Sequence, residues 1–248
     1  MMERDIHFTA RGMLESMQFK DGDFGKIALV SGQMQRITMI LDCLENTIKN
    51  FSTFGYTFWT GHFQGKKITT GNGGLYSPDA ALITEILCEG GIDYLIRVGS
   101  CGALSQEIEI GDLVIADQAL RGDGVTSYYV DNEFLPTADK MLTNDLEELA
   151  RNSGVKVHRG PVFTTDALLK ETKEVINPKI KAGAIAIDMV TSPFFTIANL
   201  YRKKPVAMLV VSDNLITGEI GFSDIRYFDA EYKSTQIALN MVKMINVE

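Results

Sequence analysis

An arginine interrupts an apolar segment of the sequence, where a charged side chain is costly to bury. Arg97 stands in the run Ile-Arg-Val-Gly-Ser-Cys-Gly-Ala-Leu at residues 96–104. A buried guanidinium without an anionic partner loses the solvation of its charge. The Gly-Ser-Cys-Gly stretch reads as a loop that adds backbone N–H groups and the Ser100 hydroxyl as donors. We interpret Arg97 and Ser100 as part of an anion-binding site, with a buried structural ion pair as the alternative.

A second stretch nearer the amino terminus offers similar donors. The residues Ser-Gly-Gln-Met-Gln-Arg at 31–36 join a predicted strand to a predicted helix. Gly32 allows close approach of the backbone, the start of the helix has unpaired N–H groups, and Arg36 adds a guanidinium. This pattern is compatible with an anion site, although such a turn can equally be a plain connection.

Two carboxylates lie at the ends of apolar runs. Asp213 follows Val-Val-Ser at 210–212, and Arg226 comes thirteen positions later. Without further context, such an aspartate is typical of a helix cap or a turn residue. Asp188 ends the run Ala-Ile-Asp, and the residues alone indicate no role for it.

The elements that must position these side chains follow an α/β pattern. Runs rich in Val, Ile and Leu, several of them apolar at consecutive positions, alternate with segments of helical spacing. Ligands in such folds bind at the carboxyl ends of the strands, so these side chains are expected to meet there. A hairpin is predicted at 55–70, with its turn at Gln64-Gly65. Strands are predicted at 26–30, 56–63, 67–70, 94–98, 112–116, 155–163, 185–189 and 206–211, and helices at 36–48, 78–89, 138–152, 191–202 and 223–245.

Composition limits the classes of partner. The 248 residues, 45% of them hydrophobic, suffice for one domain spanning 1–248. A formal net charge of -8 opposes a general nucleic-acid footprint and favours a small-molecule partner. Three widely spaced cysteines indicate reduced thiols and hence a cytoplasmic protein. Neither an amino-terminal signal nor a membrane span is expected, and three histidines make no metal-ligand cluster.

Taken together, the four strand ends resemble one family over nearly the whole chain: the hexameric purine nucleoside phosphorylases and uridine phosphorylases, with their methylthioadenosine-cleaving relatives. The run at 96–104 is the most specific part, and Arg121 to Tyr128 is similar to a further family loop. The resemblance implies a single-domain three-layer α/β sandwich, with a central mixed twisted sheet flanked by helices. It also implies a homo-oligomer built from dimers, with a hexamer as the expected form.

The resemblance further implies a reaction and roles for individual residues. The enzyme would cleave the N-glycosidic bond of a nucleoside, of purine type, with inorganic phosphate as co-substrate and no cofactor or metal. Asp213 would protonate the purine at N7 with help from Arg226. The other implied contacts are phosphate to Gly32, Arg36, Arg97 and Ser100, the sugar to Met189, Val190 and His7, and the base to Leu168, Asp188 and Ser212.

The sequence also departs from the family pattern. Val190 replaces a glutamate that accepts hydrogen bonds from the ribose hydroxyls, which favours a deoxysugar or a modified sugar. Phe54 stands where many relatives lend an arginine to a neighbouring subunit, and Leu168 replaces a stacking aromatic residue. Residues 170–174 lack the Gln and Arg that read uracil. Their absence weighs against a conventional uridine enzyme. The alternatives that stay open are a uridine phosphorylase, a hydrolytic nucleosidase of the same fold, or a catalytically impaired ligand-binding relative.

Overall fold

The computed structural model describes residues 8–247 of the chain, in which helices pack against one mixed sheet. This arrangement confirms the predicted α/β class. The strands are β1 (Ile27–Ser31), β2 (Glu45–Thr53), β3 (Tyr56–Phe63), β4 (Lys66–Asn72), β5 (Tyr94–Ala103), β6 (Leu113–Gly122), β7 (Val157–Thr165), β8 (Ala186–Asp188) and β9 (Lys204–Asn214).

The strand order is β2-β3-β4-β1-β5-β8-β7-β6-β9, and β5 also pairs with β9. That extra pairing closes β5 through β9 into a ring, while β2, β3, β4 and β1 extend from it as an open sheet. β1, β5 and β9 run parallel to one another through β5. Their carboxyl ends therefore meet at the same edge, as the site hypothesis requires.

Two groups of helices cover this sheet. α1, α3 and α6 pack together, and α7 packs against α2 and α4. Asp224 caps α7 by accepting a hydrogen bond from the Arg226 N–H, and Asp139 caps α4 in the same way. The helices are α1 (Ala10–Ser16), α2 (Met34–Leu41), α3 (Ser77–Glu89), α4 (Lys140–Asn152), α5 (Lys173–Lys181), α6 (Thr191–Leu200) and α7 (Ile225–Met244).

The predicted hairpin is confirmed as β3 and β4, with Gln64 and Gly65 both at positive φ in the turn. Two local predictions are wrong. The helix expected over 36–48 ends at Leu41, and the chain continues as the edge strand β2. The Gly-Ser-Cys-Gly stretch is not a loop, because β5 continues through it to Ala103 and pairs with β9 along its whole length.

Candidate active site

A cavity of about 230 Å³ lies where β1, β5, β8 and β9 end. Distant parts of the chain converge there, since ten of the predicted site residues line it: Gly32, Arg36, Arg97, Ser100, Leu168, Asp188, Met189, Val190, Ser212 and Asp213. The cavity also includes Glu171 and Phe222, which the sequence did not indicate.

Arg97 is a buried cation of β5 that lines this cavity. It is 4% exposed, and its Nη1 lies 3.4 Å from Asp188 Oδ2. Within residues 8–247, its Nε and Nη1 atoms have no hydrogen-bond partner. Burial lowers the pKa of Arg97, and Asp188 opposes this shift. A buried guanidinium with unused donors facing a cavity is suited to bind an oxyanion.

Gly99 leaves the space that the Arg97 guanidinium occupies. A Cβ at residue 99 would overlap Arg97 Nη1 and lie 2.7 Å from its Cζ. The two residues are two positions apart on β5, so they face the same side of the sheet.

We therefore expect Gly99→Ala to displace the guanidinium and weaken anion binding. A misplacement of 1 Å can lower turnover by about 100-fold. The phosphate dependence of turnover would measure the effect. Gly91→Ala is the control for a backbone change alone, because Gly91 has a positive φ and open space around its Cβ position. An unaltered apparent phosphate affinity in Gly99→Ala would contradict the assigned geometry.

Arg36 reaches the cavity from α2 but is already paired. It is 1% exposed, and its Nη2 forms an ion pair with Glu231 of α7, which is equally buried. Nη2 also donates to the Tyr227 hydroxyl at 3.3 Å, and Nη1 donates to Ser31 Oγ at 3.2 Å. The turn before it is tight, since a Cβ at Gly32 would lie 2.7 Å from the Gly74 carbonyl oxygen. Arg36 is thus held rigidly beside the cavity.

Asp213, near the end of β9, is a carboxylic acid that lines the cavity. Ser212 Oγ lies 2.7 Å from Asp213 Oδ1 and 3.2 Å from the Cys101 carbonyl oxygen. Burial raises the pKa of Asp213, and the Ser212 hydrogen bond opposes that rise. The direction of the shift is the one that a general acid near neutral pH requires.

Arg226 does not assist Asp213 in this structure, contrary to the expectation. Its Nη2 donates to Glu219 Oε1 at 2.6 Å and to Asp224 Oδ2 at 2.7 Å. The side chain is about half exposed and is absent from the cavity lining. The cause is local, because the aspartate that caps α7 places a carboxylate two residues before Arg226.

Asp188 is not available for the base, which corrects a second expectation. Its carboxylate accepts from the Thr164 hydroxyl at 2.8 Å, and from the Thr191 N–H at 3.0 Å and hydroxyl at 2.6 Å. It also faces Arg97. Its acceptor positions are therefore occupied at the start of α6, and it serves as the counter-ion of Arg97.

Of the residues expected at the sugar and the base, all but His7 line the cavity. Met189 and Val190 line the cavity, and Leu168 does so from a short 3₁₀ helix, Leu168–Lys170. Phe54 is 72% exposed, at the turn between β2 and β3, and does not line the cavity. His7 lies outside the described residues.

Glu231 was not among the predicted site residues, although the sequence contains a pattern that indicates its role. Tyr227, Glu231 and Ala238 recur at helical spacing on the buried face of α7. A glutamate on the apolar face of a helix indicates a buried cation, and that cation is Arg36. Glu171 carried no such signal, since its neighbours are polar.

Within 8–247, His, Cys, Asp and Glu side chains nowhere form a group of three that could hold a metal ion. None of the helices in the same range has both the length and the apolar character needed to cross a bilayer.

Comparison with known proteins places the chain in one family. The family model described as Phosphorylase superfamily matches residues 26–245. A purine nucleoside phosphorylase, DeoD-type, from Colwellia psychrerythraea is 30% identical over 209 residues, covering 82% of this chain and 88% of that protein. A guanosine phosphorylase from Halorubrum lacusprofundi is 27% identical, covering 80% and 83%.

A uridine phosphorylase from Thermococcus kodakarensis is 29% identical over 226 residues, covering 86% of this chain and 82% of that protein. The crystal structure of a uridine phosphorylase from Vibrio fischeri superposes with a TM-score of 0.84 at 23% identity, covering 92% and 96% of the two chains. This likeness confirms the expected fold. Because the family model extends from β1 to the end of α7, this chain belongs to the phosphorylase superfamily.

Proposed function

We propose that this chain cleaves the N-glycosidic bond of a purine nucleoside with inorganic phosphate, giving the free base and the sugar 1-phosphate. The observation that carries the proposal is the placement of Arg97, with unused donors, and Asp213, with a raised pKa, on one cavity. Phosphate acts as co-substrate, and no cofactor takes part.

The chemistry follows from the charges that develop as the bond breaks. The sugar becomes positive and the departing base becomes negative. Phosphate held by Arg97, Ser100 and the backbone near Gly32 would stabilise the sugar cation and attack it. A proton from Asp213 would neutralise the base at N7. The relatives include both purine and uridine enzymes, and the acidic group at Asp213 favours the purine, because uracil has no N7 to protonate.

A panel of ribonucleosides and 2′-deoxyribonucleosides, incubated with and without phosphate, tests this proposal. Release of free purine only in the presence of phosphate, with a matching amount of sugar 1-phosphate, is the expected result. Release of uracil but not purine would overturn the purine assignment. Absence of release from every nucleoside would overturn the enzymatic function.

Hydrolysis is a second candidate, favoured by one specific observation. Both arginines are paired with buried carboxylates, Arg36 with Glu231 and Arg97 with Asp188. The formal charges of these four groups cancel, so the four groups together are electrically neutral without a bound anion. Equal release of base with and without phosphate, yielding free sugar, would establish hydrolysis in place of phosphorolysis.

Val190 leads to a prediction about the sugar. It is 2% exposed and lines the cavity beside Met189, so it gives a sugar hydroxyl no acceptor. We expect Val190→Glu to raise kcat/KM for ribonucleosides relative to 2′-deoxyribonucleosides by about tenfold, since a missing hydrogen-bond partner costs about 1–3 kcal/mol. Val190→Leu, which adds volume without an acceptor, is the control. An unchanged ratio would place the sugar hydroxyls elsewhere.

The assembly and cellular location belong to the same proposal. A homo-oligomer built from dimers, with the hexamer as its expected form, would cover the exposed apolar side chains Ile48 and Phe54 of the β2 region. Light scattering that gives the mass of a monomer would contradict it. The three free cysteines are compatible with a cytoplasmic protein.

A further inference from the structure

Glu171 is a carboxyl group of the cavity that has no task in the proposed reaction. Every other residue from 166 to 175 is exposed, whereas Glu171 is half-buried and lines the cavity. It directly follows the 3₁₀ helix Leu168–Lys170, and Leu168 lines the same cavity. Within residues 8–247, no side chain donates a hydrogen bond to the Glu171 carboxyl group. A carboxyl group with unused hydrogen-bonding capacity in a substrate cavity is suited to contact the substrate.

The other side chains of the cavity leave few hydrogen-bonding groups for a base. Ser212 Oγ is engaged by the Cys101 carbonyl oxygen and by Asp213. Asp188 is committed to Arg97 and to two threonines. The remaining side chains near the proposed base and sugar are apolar and can pack against a base without distinguishing its edges; they are Leu75, Leu168, Ile187, Met189, Val190 and Phe222.

The proposed contact of Asp213 determines which edge of a purine comes next. In a purine the C6 substituent lies between N7 and N1, on the edge that also carries N7. With N7 at Asp213, the C6 substituent and N1 therefore follow along the ring. Glu171 is close enough to Asp213 for the charge of that aspartate to act on it, so it is placed to meet this part of the base.

A neutral carboxyl group matches the edge formed by N1 and the C6 substituent. It offers one O–H donor and one carbonyl acceptor. In adenine N1 accepts and the 6-amino group donates, whereas in hypoxanthine and guanine the C6 oxygen accepts and N1–H donates. Burial and the Asp213 charge raise the pKa of Glu171 to about 7, so the neutral form is available up to that pH.

The charged groups around Glu171 leave its ionised form without a counter-ion. Arg36 and Arg97 line the cavity but are paired with Glu231 and Asp188. Burial raises the pKa of the Cys101 thiol well above its ordinary value, so Cys101 is neutral. The charged neighbours in the same segment, Lys170, Lys173 and Glu174, are exposed.

We infer that Glu171 is a base-specificity residue whose carboxyl group hydrogen-bonds N1 and the C6 substituent of a purine. This inference rests on the proposed function, which places N7 at Asp213. Only hydrogen bonds form, so the atoms and electrons of the proposed reaction are unchanged.

The binding of free adenine, measured by titration calorimetry, tests this role without any bond being cleaved. Ionisation of Glu171 removes the O–H that N1 accepts, so from about one pH unit below 7 to one above it the affinity of the parent should fall about tenfold. Glu171→Gln keeps one donor and one acceptor, so it should retain the tighter affinity throughout this range. Glu171→Leu removes both groups and should bind about tenfold more weakly than the parent below pH 7.

Two controls isolate the contact with N1. Asp213 is present in the parent and in Glu171→Gln, so its own titration affects both proteins alike. Glu174→Gln, an exposed change in the same segment, should bind adenine as the parent does at each pH. The base 1-deazaadenine has a C–H group in place of N1, so its affinity for the parent should not show the fall that adenine shows.

Three outcomes would overturn the role of Glu171. They are parental affinity for adenine in Glu171→Leu, a parental fall with pH in Glu171→Gln, and no binding of adenine to the parent. Nucleoside cleavage is measured separately: phosphate-dependent purine release together with one of these outcomes would leave the proposed function standing and remove Glu171 from base recognition. The expected adenine profile in a chain that cleaves no nucleoside would have the opposite meaning.

Discussion

Arg97→Met should reduce phosphate-dependent cleavage by about 10³-fold, because the cation with unused donors facing the nucleophile is lost and a single such donor contributes about 10²–10³ in turnover. Methionine keeps most of the volume of the side chain in a buried strand. Initial rates at saturating nucleoside, measured against phosphate concentration, would show the loss. Arg97→Lys should recover only part of the rate, since an ammonium lacks the planar fork that binds two oxygens of an anion.

The interpretation of that loss depends on the fold being intact. Asp188 loses its counter-ion in Arg97→Met but keeps its hydrogen bonds to Thr164 and Thr191, so the variant should fold with reduced stability. Denaturant unfolding checks this, and Arg202→Ala, at an exposed arginine away from the cavity, serves as the control. A stable Arg97→Met protein with undiminished phosphate-dependent turnover would remove Arg97 from the site.

Glu231→Gln should have opposite effects on stability and on phosphate binding. It leaves the buried Arg36 guanidinium without a counter-charge, and breaking a buried pair by removing one partner costs about 3–5 kcal/mol of unfolding free energy. The same change makes the four paired groups of the cavity net positive, so phosphate should bind more tightly. Denaturant unfolding and titration calorimetry with phosphate measure the two effects.

Asp229→Asn provides a matched change for that experiment, because it removes an exposed carboxylate from the same helix. It should alter neither quantity appreciably, since exposed charges are screened by solvent. Weaker phosphate binding in Glu231→Gln at retained stability would mean that Glu231 holds Arg36 in its binding position. In that case the position of Arg36 would affect phosphate binding more than the negative charge of Glu231 does.

Much of the architecture was predictable because it depends on local patterns. Consecutive apolar residues predicted β1, β5 and β9 as buried strands, and the turn residues Gln64 and Gly65 predicted the hairpin. The wrong prediction of a helix over residues 42–48 also came from a local pattern. Apolar positions there fit helical spacing, but the chain leaves α2 at Leu41 and pairs with β3 instead. Pairing with a distant strand is not written in the local pattern.

By itself, the sequence predicted Arg97 within one apolar strand and Asp213 at the end of another, and it predicted that these strands meet at one edge of an α/β sheet. Only the tertiary structure decided the partner of each buried or capping charge: Glu231 for Arg36, Asp188 for Arg97, and Glu219 with Asp224 for Arg226. The physical reason is that strand and helix formation depend on neighbours in the chain. The state of a buried charge depends instead on which groups from other elements fold against it.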